Sequence, residues 1–261
     1  MSQQGGSGTI FVTGCNLGCT FCQNIQISRR GFGRAVDSEE FAGICLKLQE
    51  KGAQNLNIVT GSHMAPSIAA GLQRARDQGS SLPVFWNSSA YEKESIVESL
   101  SPVVTGYLPD LKTLDPDLAD RFFHAPDYPA VAERAIRAMI ADRNLHYQGD
   151  SLDSGVIIRH LVIPGFLDST RKVLEWFAEY AQGKALVSVM MQYTPYGKGP
   201  ERALNEKEYE QVLQWLDALG IDGFYQELVQ DEEWLPDFGR TNPFSSELSV
   251  PVWHWTGGYE L

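Results

Sequence analysis

Long hydrophobic runs are absent from this chain of 261 residues. No stretch approaches the roughly 20 apolar residues that a membrane-spanning helix needs. The N-terminal MSQQGGSG also lacks a charged start followed by an apolar segment, so neither a span nor a secretory signal is expected. Positive charge is scarce as well. Lys and Arg number 21 against 33 Asp and Glu, a formal net charge of -12, which disfavours phosphate backbones and anionic lipid surfaces. The one basic cluster, Arg29, Arg30 and Arg34, is too small to reverse that, so no nucleic acid and no membrane are expected as partners. Cysteine is sparse and uneven: Cys15, Cys19 and Cys22 crowd one short stretch and Cys45 stands apart. So lopsided a set does not make a disulfide framework, and a reducing, cytoplasmic setting would keep these thiols free for a metal. Repeats, low-complexity tracts and linkers are missing too, so the chain reads as one domain over 1–261 with a core of about 8–226.

What is present is an alternation of short apolar runs with amphipathic segments, the pattern of strand-helix units on a parallel sheet. Strands are predicted over 9–13, 55–60, 83–86, 103–108, 156–163 and 186–191. Helices are predicted over 38–51, 65–79, 92–100, 128–141, 170–182 and 205–219, with a short extra one within 115–128. Asp37-Ser38-Glu39-Glu40 supplies an acidic first turn, and Gly52, Gly79 and Gly220 follow the last periodic residues of three helices. The fold class is therefore α/β, a partial barrel of six strand-helix units. The stretch 227–261 breaks the rhythm with Trp234, Trp253 and Trp255 and three prolines; its aromatic content marks a packed, irregular tail rather than a solvated one. It either caps the barrel bottom or offers a docking surface.

In such barrels reactive groups gather where strands end. The stretch GCNLGCTFCQN follows the first strand directly, and other strand ends bring Thr60-Gly61-Ser62-His63, Asn87-Ser88-Ser89, Asp110-Leu111-Lys112, Arg159-His160 and Gln192-Tyr193-Thr194 to the same rim. Three cysteines at these spacings wrap one side of an iron-sulfur cube and leave one iron without a protein ligand. A structural zinc site would want a fourth ligand close by; His63 is distant in sequence, and Cys45 shares a helix face with Phe41, Ile44 and Leu48, as a core cysteine does. Arg159 lies inside an apolar strand, where an unpaired charge is costly, so a bound anion is expected there.

The CxxxCxxC loop with Phe21 before its last Cys resembles the radical S-adenosylmethionine superfamily. More narrowly, GCNLGCTFCQN, YLPDLK, IIRHLVIPG, MMQYTP and the NPFS and VWHW tail segments resemble the branch related to pyruvate formate-lyase activating enzymes, among members whose substrates are not established. The resemblance implies an oxidoreductase with one 4Fe-4S cluster held by Cys15, Cys19 and Cys22, its open iron chelated by S-adenosylmethionine. Reductive cleavage of that cosubstrate then gives a 5'-deoxyadenosyl radical that abstracts a hydrogen. It implies a low-potential electron donor of the flavodoxin or ferredoxin type, anaerobic chemistry, and a glycyl-radical enzyme or a peptide as substrate. It also implies that Phe21 lies against the adenine, Asn24 contacts the cofactor, Asp110 reaches the ribose region, and Lys112 and Arg159 take the methionine carboxylate. Gly61 stands where the family's GGE-type turn receives the cofactor's amino group, and Asn87, Ser88 and Gln192 complete the expected cofactor-binding rim. Asp110 and Lys112 have a surface ion pair as their plain alternative, and His160, of opposite parity to Arg159, is either a site residue or a satisfied core histidine. Departures are visible: no acid follows Gly61, GGSGT before the first strand lacks the arginine common in activases, and no further CxxC pairs occur. Three functions stay open: an activating enzyme acting on a glycine of a protein partner, a stand-alone enzyme for a small metabolite or peptide, and a non-catalytic iron-sulfur or electron-transfer protein.

Overall fold

Each short apolar run becomes a strand because a helix follows it and folds back over one of its faces. In the computed structural model, which describes residues 6–149, 151–228, 235–244 and 249–260, the strands are β1 (Gly8–Phe11), β2 (Leu56–Val59), β3 (Val84–Ser88), β4 (Gly106–Pro109), β5 (His146–Gln148), β6 (Ser151–Leu161), β7 (Leu186–Met190) and β8 (Gly223–Tyr225). The helices are α1 (Ile25–Ser28), α2 (Ser38–Glu50), α3 (Ala65–Asp77), α4 (Glu94–Leu100), α5 (Pro116–Phe123), α6 (Tyr128–Asp142), α7 (Leu167–Trp176) and α8 (Glu206–Ala218). The sheet runs β1-β2-β3-β4-β6-β7-β8, and every pairing along that path is parallel. Its ends, β1 and β8, do not pair with each other, so the barrel is partial and, among the described residues, open along one side.

Local chemistry sets the boundaries. The Asp37 carboxylate accepts from Glu40 N at 2.8 Å to start α2, and Asn205 and Glu208 form a capping box at the start of α8. Gly52, Gly79 and Gly220 take left-handed φ of 87°, 102° and 60° just beyond α2, α3 and α8, as their positions predicted. Three elements lie outside the six predicted units. Strand β8 is short with all three residues exposed, α1 is a single turn, and β5 is an exposed polar strand that pairs antiparallel with the start of β6. None carries an apolar period to announce it.

Strand alternation sorts the side chains into two layers. Ile58, Trp86, Tyr107, Ile158, Val187 and Val189 face the helices and join the main core. Phe85, Leu108 and Ile157 face the concave side, where Leu152 and, beside it, Leu145 and Leu186 complete a separate apolar floor. The hairpin that carries Leu145 and Leu152 thus closes the barrel bottom, one of the two places left open for the aromatic tail. The tail lies instead against β1 and the residues after it. Phe238 and Phe244 stand 5.1 and 5.8 Å from the ring of Phe11, Trp255 Nε1 donates to Phe238 O at 3.0 Å, and Trp253 Nε1 donates to Glu40 at 2.9 Å. An edge strand has an uncovered side, and these rings bury it. Trp253 and Trp255 are half-buried in that packing; Trp234 lies outside the described residues.

Candidate functional site

The cysteine loop leaves β1 through Gly14, whose φ of 89° and closeness to His63 exclude a side chain: an added Cβ would lie 2.7 Å from His63 Nε2. His63 bonds Thr13 O at 2.8 Å and is occupied there. The loop is tied down along its length. Ile27 O accepts from Thr13 Oγ1 and from Gly14 N, both at 2.9 Å, Arg29 Nη2 donates to Leu17 O at 2.7 Å, and Thr20 N bonds Phe122 O at 2.8 Å. Cys15, Cys19 and Cys22 are all free thiols, while Cys45 is fully buried in α2, as its helix face predicted. Burial pushes the Cys15 thiol up and Cys19 up to about 12, with the neighbouring cysteines adding to both and Lys112 opposing. A cationic centre draws cysteines into the thiolate form when it binds them, and a donor set of Cys15, Cys19 and Cys22 on one loop suits an iron-sulfur cluster. No group of three His, Cys, Asp or Glu among the described residues is arranged to hold a single metal ion.

Beside the loop, on the concave face above the apolar floor, alternation brings Asn87, Asp110 and Arg159 together. The β4 ladder continues past Pro109 through Asp110 N to Ser88 O and Leu111 N to Arg159 O, both 2.9 Å, which fixes the level of Asp110. Lys112 Nζ donates to Asp110 Oδ2 at 2.7 Å, Arg159 Nη2 donates to Asn87 Oδ1 at 2.7 Å, and the same guanidinium lies 2.5 Å from Asp110 Oδ1. That last contact is close but outside hydrogen-bond alignment, so Asp110 Oδ1 and Arg159 Nε remain without a directed partner. Burial works to raise the Asp110 carboxyl, but Arg159 and Lys112 outweigh it and hold the group below the usual carboxylate range. Burial works to lower Lys112; Asp110 and Cys19 hold it above its ordinary value. The side chains still expose 15, 22 and 28% of their surface for Asp110, Lys112 and Arg159, so the layer is enclosed without being sealed.

These contacts revise two expectations. Arg159 is not an unpaired cation awaiting an anion, since Asp110 and Asn87 meet it. Asp110 and Lys112 do pair, but within the barrel mouth rather than as a surface bridge. Tyr128 braces them: its hydroxyl reaches Asp110 O at 2.5 Å and accepts from Lys112 N at 3.0 Å.

Ser88 is corrected outright. Adjacent strand residues point to opposite faces, so Ser88 turns into the helix layer and donates to Glu92 Oε1 at 2.6 Å while Asn87 faces the site. Glu92, which the sequence did not single out, also accepts from Trp86 Nε1 at 3.2 Å and from Ser62; burial raises its carboxyl, with those bonds opposing. It therefore ties the ends of β2 and β3 from beneath. Gly61 lies over the same indole, where an added Cβ would come within 2.6 Å of Trp86, and Thr60 before it adopts a left-handed φ of 62°. His160 is a satisfied core histidine. It is buried, Nδ1 meets Leu111 O at 2.8 Å, Nε2 meets Thr170 Oγ1 at 2.9 Å, and burial pushes it down to about 4.

Phe21 packs edge-on against Phe122, Phe123 and Tyr193 at 5.5, 6.1 and 5.6 Å, leaving only a margin of the ring open. Asn24 opens α1 without capping it by its side chain. Gln192 sits just past β7, where Gln226 Oε1 accepts from its N at 3.4 Å and Glu227 O accepts from its Nε2 at 3.5 Å, across to the end of β8. Asn57, in register with Phe85 and so on the concave face, was missed; an asparagine in the middle of the apolar run LNIV is its one sequence signal. Buried polar atoms without partners include Asn57 Oδ1, Asp110 Oδ1, Arg159 Nε and, in the cysteine loop, Thr20 Oγ1. Such atoms are rare in folded interiors, and two of them, on Asp110 and Arg159, belong to the ion pair in the mouth, where a polar ligand fits.

Comparison with known proteins agrees with this geometry. The profile described as the Radical SAM superfamily matches residues 9–177. An uncharacterized protein of Methanocaldococcus jannaschii is 31% identical over 232 residues, covering 84% of this chain and 64% of its own length. The chain thus spans under two thirds of that relative. Among solved structures, Streptococcus suis SuiB bound to precursor peptide SuiA superposes with a TM-score of 0.60 at 15% identity, over 85% of this chain and 48% of that one. SuiB bound to S-adenosylmethionine gives 0.60 at 16% identity, over 88% and 52%. A radical SAM methyltransferase from Sphaerobacter thermophilus gives 0.57 at 16% identity, over 84% and 65%.

Proposed function

The chain belongs to the radical SAM superfamily, and from that premise we propose that it takes a hydrogen atom from a polypeptide, in the manner of the glycyl-radical activating enzymes its motifs resemble. Membership carries the coarser chemistry: the chain is an enzyme that uses one 4Fe-4S cluster with three Cys ligands, together with S-adenosylmethionine, and it needs a reductant. When bound, the cluster and S-adenosylmethionine supply a 5'-deoxyadenosyl radical. Cys15, Cys19 and Cys22 are the ligands in this reading. Asp110 and Lys112, with Arg159 behind them, receive the polar end of S-adenosylmethionine, Asn87 orients Arg159, and the Gly61 turn offers backbone carbonyls to its amino group. Phe21 presents its open margin to the adenine, and Asn24 and Gln192 border the same opening. No catalytic side chain of the protein's own is assigned.

The observation that carries the polypeptide reading is the open side of the half-barrel. Strand β8 forms one lip, with Phe224 and Tyr225 58 and 56% exposed, and a gap of this kind admits a chain segment rather than enclosing a metabolite. SuiB, similar in fold, was solved with a precursor peptide. A small-metabolite reading draws support from Phe238 and Phe244, which narrow the other lip at Phe11. A cytoplasmic, anaerobic setting and a flavodoxin or ferredoxin donor belong to the same proposal; no described helix is long and apolar enough to cross a membrane. Extract from the source organism grown in deuterated medium, divided by ultrafiltration, separates the readings. Deuterium entering 5'-deoxyadenosine from the retained macromolecules is expected; deuterium entering only from the filtrate would overturn the polypeptide assignment.

A further inference from the structure

We propose that Ser28 is a positioning residue for the electron-transfer step, acting through Cys22 by donating its hydroxyl hydrogen to the ligating sulfur. The inference rests on the reading of Cys22 as a cluster ligand and adds a control of reduction potential that the cysteine motif alone does not contain. Ser28 Oγ lies 3.4 Å from Cys22 Sγ. As a free thiol Cys22 could donate in this pair, but a thiolate bound to iron has no hydrogen, so the direction becomes fixed from Ser28 to sulfur.

The three sulfurs are unequal. Leu17 N donates to Cys15 Sγ at 3.4 Å, which is a backbone contact within the loop itself. Cys22 alone has a side-chain donor among the hydrogen bonds of the described residues, and that donor comes from six residues along the chain. The placement is constrained on both sides. Ser28 N bonds Asn24 O at 2.9 Å inside α1, and the preceding carbonyl, Ile27 O, is held by Thr13 and Gly14 immediately before Cys15. On the far side Gln26 is fixed to the tail, donating to Asp237 Oδ1 at 3.0 Å and accepting from Phe238 N at 2.6 Å. A single helical turn would fray if isolated; here it is clamped between the start of the cysteine loop and the C-terminal tail. A serine on a helix often turns its hydroxyl to a carbonyl of the preceding turn. This one turns to sulfur.

A donor aimed at a ligating sulfur stabilises the state with more negative charge, so it favours the reduced cluster and raises the potential. Ser28→Ala should then lower the midpoint by roughly 30–60 mV, a three- to tenfold weaker reduction equilibrium at about 59 mV per decade for one electron. Ser28→Thr, which keeps the hydroxyl, should stay near the wild type. The measurement is an anaerobic redox titration of the reconstituted full chain, followed by electron paramagnetic resonance of the reduced state, with iron content determined in parallel. Equal midpoints for wild type and Ser28→Ala at equal iron content would overturn the proposal while leaving the ligand assignment intact. A wild type that takes up no cluster would overturn both. Should the alanine variant fail to assemble a cluster, the comparison is read between Ser28→Thr and Ser28→Val, which match in shape and differ only in the hydroxyl; equal midpoints there would also overturn it.

Discussion

Replacing Asp110 by asparagine keeps the shape of the side chain and removes the one negative charge that faces both Lys112 and Arg159. Two cations then remain in the mouth with 22 and 28% of their side-chain surface exposed. Breaking a fully buried ion pair costs about 3–5 kcal/mol, and with that residual solvent contact a loss of about 2–3 kcal/mol is expected here. For a chain of this size that is a fall of roughly 5–10 °C in melting temperature. The assay is a thermal melt of metal-free protein at pH 7, so that no ligand contributes. The sign with pH follows from the depressed carboxyl: its contribution is complete above the ordinary carboxylate range and disappears as pH falls through the lowered folded-state value, so wild type and variant should converge in acid. Arg159→Gln should cost less, because Asp110 keeps Lys112 as partner. A change of less than about 1 °C for Asp110→Asn would refute the reasoning and return the pair to the class of weak, solvent-screened bridges.

Cys19→Ala is expected to abolish iron binding after anaerobic reconstitution, whereas Cys45→Ala should keep iron content near the wild type; loss of iron from the Cys45 variant would show that the ligand set is wrong. Glu208 accepts from Arg202, Asn205 N and Gly165 N, and the Arg202 bond leads in bringing its carboxyl down to about 2. With Arg202 half exposed, Glu208→Gln should cost on the order of 1–2 kcal/mol in urea unfolding near neutral pH. That difference should shrink as pH falls from about 5 towards the folded-state value, because a depressed carboxyl stabilises only where it is ionised in the folded chain. A difference that stays constant down to pH 3 would contradict it.

The strand-helix alternation was legible because the apolar runs are short and several helices end at glycines that only a left-handed position needs. Strand β8 was not legible: Gly223, Phe224 and Tyr225 are all exposed, so it joins the sheet through backbone pairing with β7 and leaves no hydrophobic period. In the site, the contact between Asp110 and Lys112 was legible because a two-residue spacing at a strand end puts both side chains on one face. Asn87 and Ser88 were read as a unit, although the pleat must separate them. Glu92, Tyr128, Asn57 and Ser28 were not read at all, since each acquires its partner only when separate segments meet. That Asp110 and Asn87 meet Arg159 was not legible, because a sequence shows that a charge is buried without showing what stands beside it.

The central claim is that Cys15, Cys19 and Cys22 hold a cluster that cleaves S-adenosylmethionine reductively. Its most direct test is to reconstitute the full chain anaerobically with iron and sulfide, reduce it with dithionite, add S-adenosylmethionine and quantify the products. The account predicts 5'-deoxyadenosine and methionine in equal amounts, absent without reductant and absent from Cys19→Ala. A fully loaded, reduced wild-type protein that yields no 5'-deoxyadenosine would contradict it.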